Sequence, residues 1–455
     1  MALAPEIASG SGAAVGEGQG THVDAPELRL FVMGLFFIFG GITSLNDVII
    51  PKLKELFTLN YTQAMLVQFC FFTAYLVIGI PGAKLVKKIG YMRGAVAGLL
   101  TMMVGCLLFI PASQNAVYGL FLFALFVLAS GVVIVQVVAN PLISLLGKPE
   151  TAHSRLTFAQ AFNSLGTTIF PFVGSIVILA PLAAVAGEKL QSFWNVTRVV
   201  DPDCRGGAQT GPTLTGADLA AYRTAESQTV MHTYLGLAVA LAVVAIAVWL
   251  FRNKLKGESH ATGSLASSLE LLKRPRFSFG ALSIFLYVGA EVAIGSLIVS
   301  YLMSSHTLCL TEQSAGKQLI FYWGGAMVGR FIGSAILRVA SPGKVLAFAA
   351  SGSIALILIS INTTGSISAN SLLAIGLMNS IMFPTIFSLA SERLGARAAD
   401  GSGIINVAIF GGAVVPLVTG ALADVTGSVA LALALPALCY AIIAAFGVYA
   451  RRPAV

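Results

Sequence analysis

Twelve apolar runs of membrane-spanning length recur along the chain, near 29–52, 62–86, 93–112, 115–146, 154–184, 228–252, 276–304, 316–339, 344–362, 368–394, 401–424 and 428–450. About 20 such residues cross a hydrocarbon core roughly 30 Å thick as one α-helix. The bilayer core supplies no water to unpaired N–H and C=O groups, so each run must satisfy its own backbone, and helix is the expected form. Only 10% of the residues are charged, at a mean hydropathy of +0.88, against about 25% charged in an ordinary soluble domain. The chain therefore reads as an all-α integral membrane protein whose first large partner is the lipid bilayer.

The net charge of +8 is not the mark of a nucleic-acid binder. Lys84, Lys87, Lys88, Arg93, Lys148, Arg155, Arg252, Lys254, Lys256, Lys273, Arg274 and Arg276 fall in alternate connections. That alternation is the positive-inside bias, and with an even number of spans it puts both termini in the cytoplasm. Residues 1–28 are rich in Gly, Ala and Ser, lack the pattern of a signal peptide, and are expected to form a disordered cytoplasmic tail. Cys70, Cys106 and Cys439 lie in spans, whereas Cys204 and Cys309 fall in outer loops. An oxidising compartment permits a bond between those two, and two separate loop thiols are the alternative.

Internal similarity divides the chain into an N-terminal bundle over 29–252, a basic linker over 253–275 and a C-terminal bundle over 276–455. Gln136 precedes Pro141 by the same five residues that separate Asn379 from Pro384. Gly166 and Pro171 repeat as Gly411 and Pro416. Secondary transporters use repeats of this kind to build a site between two halves. A long outer loop near 185–227 interrupts the pattern.

Polar side chains at membrane depth carry the functional information, since each needs a partner or a water-filled cavity. Of nineteen carboxylates, only Asp47 and Glu291 lie deep inside the runs, each in the first run of its half. A carboxylate withdrawn from water favours its neutral form, and a proton or a bound cation supplies that neutrality. Asp47 is thus the expected coupling group, and an Na⁺ ligand if Na⁺ is the ion. Glu291 has similar logic as an auxiliary. Asn46, Gln136, Asn140, Gln160, Asn163, Asn379 and Asn406 are amides that both donate and accept, as sugar hydroxyls do. Trp323, near the middle of the eighth run, could stack on a pyranose or simply pack between helices. No Walker loop, clustered Cys/His spacing or nucleophile elbow occurs, so neither an enzyme nor a cofactor is expected.

The segments S-L-N-D-V-I-I-P-K (44–52), A-N-P-L-I-S-L-L-G (139–147), R-L-T-F-A-Q-A-F-N-S-L-G (155–166), Y-V-G-A-E (287–291) and F-P-T-I-F-S-L (383–389) resemble the fucose/glucose-galactose symporter family of the major facilitator superfamily. The resemblance implies a major facilitator fold of twelve transmembrane helices in two six-helix bundles, and alternating access with cation-coupled uptake of a monosaccharide. It also implies a bacterial inner membrane and a monomer. Asp47 matches the family's first-helix aspartate, tied there to the cation. Fucose members carry a glutamate before A-N-P where this chain has Gln136, and a glutamine where it has Glu291. That departure implies glucose, galactose or N-acetylglucosamine over fucose and leaves Na⁺ or H⁺ as the coupling ion. The alternatives are a fucose:proton symporter, a drug:proton antiporter and a non-transporting sugar sensor.

Overall fold

The computed structural model describes residues 26–145, 152–179, 204, 215–252, 270–337, 339–392, 394 and 398–451. The expected tail up to residue 25, the linker over 253–269 and most of the long loop lie outside them.

Twelve helical segments follow in order: α1 (Pro26–Leu56), α2 (Tyr61–Ile89), α3 (Tyr91–Asn115), α4 (Tyr118–Leu145), α5 (Ala152–Val177), α6 (Gly216–Leu250), α7 (Pro275–Met303), α8 (Glu312–Ile336), α9 (Pro342–Asn362), α10 (Gly365–Ala390), α11 (Ala398–Ala408 and Gly411–Thr426) and α12 (Val429–Tyr449). No strand occurs among the described residues. Ten of the segments are long and apolar enough to cross a membrane on that basis alone. The other two, α5 and α8, carry Gln160, Asn163 and Arg330 to the seam between the halves.

Local chemistry sets the ends and the breaks. Asn60 and Gln63 form a reciprocal capping box at the start of α2, and Pro275 and Pro342 open α7 and α9, where a missing N–H costs nothing. Segments α3, α10 and α12 are interrupted at Leu108, Ile381 and Leu433, each three residues before Pro111, Pro384 and Pro436. Proline removes one helical hydrogen bond and crowds the carbonyl four residues back, which forces each break.

The two halves, α1–α6 and α7–α12, use the same internal contact. A side chain built on Gly166 of α5 would lie 2.1 Å from the Phe37 carbonyl oxygen of α1, and one on Gly411 of α11 would lie 1.8 Å from that of Phe285 in α7. Only glycine permits backbones to approach this closely. The glycines of the repeated motif thus let the first and fifth helices of each half touch.

Cys204 and Cys309 are disulfide-bonded, with Cα atoms 5.6 Å apart, so the bond left open by the sequence is present. It joins the loop between α5 and α6 to the loop before α8 and marks one end of the molecule. Lys84, Arg276 and Lys344 mark the opposite, basic end.

One expectation needs correction. Segment α6 begins at Gly216, well before residue 228, because its polar first turns find partners rather than solvent. Glu226 forms a buried ion pair with Lys52 of α1, Tyr222 donates to Glu55 (3.1 Å), and Arg223 donates to the Leu56 carbonyl (3.1 Å).

Removing one member of a buried pair strands the other charge, at a cost of about 3–5 kcal/mol. Lys52→Met alone should therefore lower the thermal midpoint in detergent sharply, and Lys52→Met with Glu226→Leu should recover most of it. Thermal unfolding of the single and double variants checks this.

Candidate functional site

Asp47 is 3% exposed and lies where α1 of one half meets α7 and α8 of the other. Ser296 of α7 donates to its Oδ1 (3.2 Å) and Trp323 of α8 donates its indole N–H to Oδ2 (3.1 Å). From its own half, Gln68 of α2 donates to Oδ1 (3.3 Å) and to Ser296 Oγ (2.8 Å), while Asn46 donates to Gln68 Oε1 (3.3 Å). Gly295 makes room for the arrangement, since a Cβ there would stand 3.2 Å from Asp47 Oδ2 and 3.3 Å from the Trp323 ring. The Asn46 Oδ1 atom is buried beside this cluster and has no hydrogen-bond partner among the described residues.

The carboxylate is therefore held by donors from both halves. Hydrogen bonds to a charged group contribute about 1.5–3 kcal/mol each, roughly twice a neutral one. Neutralising Asp47 weakens three of them at once, and two of those cross between the halves. This is the chemistry a coupling group requires.

A second cluster surrounds Glu291 within the C-terminal half. Tyr287 donates to Glu291 Oε1 (2.7 Å), with the Asn379 carbonyl 3.0 Å from the same hydroxyl. Tyr322 donates to the Glu291 carbonyl (3.1 Å) and accepts from Asn379 Nδ2 (3.0 Å), and Tyr440 donates to Asn379 Oδ1 (2.8 Å). Tyr322 and Trp323 are neighbours on α8, so one helical turn connects the two clusters.

The remaining expected residues separate by environment. Gln136 is half-buried and donates to the Tyr75 hydroxyl (3.0 Å). Gln160 and Asn163 are half-buried on one face of α5, with Asn163 donating to Gln160 Oε1 (3.2 Å). Asn140 lies in α4, and its side chain is outside those described. Asn379, expected among the sugar ligands, is fully buried with both ends of its amide engaged by tyrosines, so in this conformation it braces the Glu291 shell. Asn406 is exposed on α11 and its side chain makes no hydrogen bond among the described residues. Trp323, expected as a stacking platform, spends its N–H on Asp47.

Gln68, Ser296, Tyr287 and Tyr440 complete the site without having been singled out from the sequence. Gln68 carried the same signal as the chosen amides, a lone polar group in an apolar run. Ser296 carried none, because a serine in a membrane helix usually satisfies itself on the backbone. Arg330 reaches across the seam to Ser164 and to the Gln160 carbonyl (3.4 Å). Its Nε donates to the Ser380 carbonyl (3.4 Å), the acceptor that Pro384 leaves without a helical donor.

Comparison with known proteins adds four findings. The model of the Major Facilitator Superfamily matches residues 32–185. A glucose/galactose transporter of Brucella abortus is 48% identical over 418 residues, 92% of either chain. An L-fucose-proton symporter of Escherichia coli strain K12 is 31% identical over 445 residues, 95% of this chain and 96% of that one. The solved structure of the transporter FucP in the outward conformation aligns with a TM-score of 0.67 at 30% identity, over 94% of this chain and 99% of that chain.

The indole bonded to Asp47 offers a direct readout. With Trp194 and Trp249 replaced by Phe, Asp47→Asn should shift the emission of Trp323, because the charge beside the indole N–H is lost. Steady-state fluorescence of the two proteins checks this, and an unchanged spectrum would mean the bond is absent in solution.

Proposed function

The chain belongs to the major facilitator superfamily, in the family of the glucose/galactose transporters and L-fucose-proton symporters, and from that premise we propose a monosaccharide:cation symporter working by alternating access. The observation that carries this reading is the Asp47 carboxylate, bonded at once to Ser296 and Trp323 of one half and Gln68 of the other. Loading a cation onto this group changes the bonds across the seam, so ion binding and movement of the halves share the same atoms.

Glucose, galactose or a related hexose is the substrate class, on the strength of Glu291 and of the 48% identical relative. The half-buried amides Gln136, Gln160 and Asn163 supply donors and acceptors for its hydroxyls, with Glu291 as the strongest acceptor. Tyr287 fills one oxygen of Glu291 and leaves the other without a donor among the described residues. Coupling is to H⁺ or Na⁺. The proton is supported by the name of the fucose relative, and Na⁺ by the neighbouring oxygen atoms of Asp47 and Ser296. We place the protein in a bacterial inner membrane as a monomer, with the basic end and both termini cytoplasmic and the disulfide end outside, where oxidation is permitted.

Reconstitution in liposomes tests the reading. Labelled glucose or galactose should accumulate when an Na⁺ or a pH gradient is imposed, and which gradient suffices identifies the ion. Asp47→Asn should abolish accumulation while retaining counterflow exchange. If this variant still concentrates sugar, Asp47 is not the coupling group. Gln160→Ala and Asn163→Ala should each raise KM about 3–10-fold, the weight of one neutral hydrogen bond, with sugar-concentration dependence of counterflow as the measurement.

A further inference from the structure

The seam between α2 and α11 is built around one face of α11. Gly412, Pro416, Gly420 and Asp424 recur at every fourth residue and therefore share that face. A side chain on Gly420 would lie 2.8 Å from the Tyr61 carbonyl oxygen, and one on Gly412 would lie 2.9 Å from the Phe72 ring. The glycines draw α11 against α2, and the next position on the face delivers a carboxylate to the first turn of α2.

That turn holds N–H groups with no helical acceptor. Asn60 already accepts from Gln63 N–H (2.8 Å). Asp424 takes the two before it, Tyr61 N–H (2.7 Å) and Thr62 N–H (2.7 Å), and also the Thr62 hydroxyl (2.5 Å). The positive end of the α2 dipole favours an anion there. The Lys54 ammonium, 4.2 Å from the centre of the Tyr61 ring, adds positive charge to the same corner. The helix is thus capped by the other half of the molecule.

We propose that Asp424 is the releasable latch of the disulfide end: its three hydrogen bonds to α2 hold the two halves together there and must break each time that end opens. The proposal rests on the transport reading above, since only halves that part need a latch. The Cys204–Cys309 bond ties loops at the same end covalently and survives opening, whereas the α2–α11 seam has to separate.

The test uses the full chain in lipid nanodiscs with Cys70, Cys106 and Cys439 replaced by Ser and the disulfide intact. Nitroxide labels at Thr58→Cys and Val425→Cys, both exposed and on opposite halves, report the width of this end by pulsed electron resonance. Asp424→Ala should raise the ratio of long to short distances by about tenfold or more, the weight of one charge-assisted hydrogen bond. Asp424→Asn, which keeps one acceptor, should fall between, and Thr62→Val offers a milder variant should Asp424→Ala fail to fold. Distance distributions identical to the parent in Asp424 and Thr62 variants that still carry sugar would overturn the latch and leave the symporter reading intact. Absence of any sugar flux in the parent protein would instead overturn the transport reading and its latch together.

Discussion

A carboxylate at the centre of a bilayer persists only where donors surround it, and Asp47 obtains its donors from both halves of the molecule. Ser296 and Trp323 reach it from α7 and α8, and Gln68 reaches it from α2. No half on its own completes the shell. Gly295 leaves room for this carboxylate against α7, and Asn46 is buried beside it. The position of Glu291 follows less directly, through Tyr322 beside Trp323.

Prolines in the spans generate a second set of demands. Pro111, Pro384 and Pro436 each follow a helix break, and a proline frees a carbonyl that lipid cannot satisfy, so a donor must come from elsewhere. At the α10 break the donor is Arg330, which satisfies the Ser380 carbonyl and reaches Ser164 and the Gln160 carbonyl of the opposite half. A cation at this depth is costly, and its acceptors are all neutral oxygens. Its bonds to Ser164 and the Gln160 carbonyl tie the backbone repair in one half to α5 of the other.

Much of the architecture was legible in the chain because lipid enforces it. Apolar length reports helices, since each run must satisfy its own backbone. The paired spacings Gln136–Pro141 and Asn379–Pro384, and Gly166–Pro171 and Gly411–Pro416, report a duplicated half. The start of α6 was not legible. Asp218, Tyr222, Arg223 and Glu226 look like loop residues until Lys52, Glu55 and the Leu56 carbonyl are placed opposite them. Within the site, Asp47 and Glu291 were evident as isolated charges, but the duties of Asn379 and Trp323 were not. An amide in an apolar run shows that a partner exists, without showing whether it is a tyrosine or a solute.

The sequence by itself determined twelve spans, two related halves, the two deep carboxylates and the set of amides within the spans, because the penalty for burying an unpaired polar group acts on each residue alone. Only the tertiary structure decided which groups satisfy one another: Trp323 with Asp47, Asn379 with Tyr322 and Tyr440, Asp424 with the first turn of α2. Those pairings depend on how closely helices distant in sequence approach, and that distance is set by packing at glycines such as Gly295 and Gly420, whose significance appears only once the neighbouring backbone is in place.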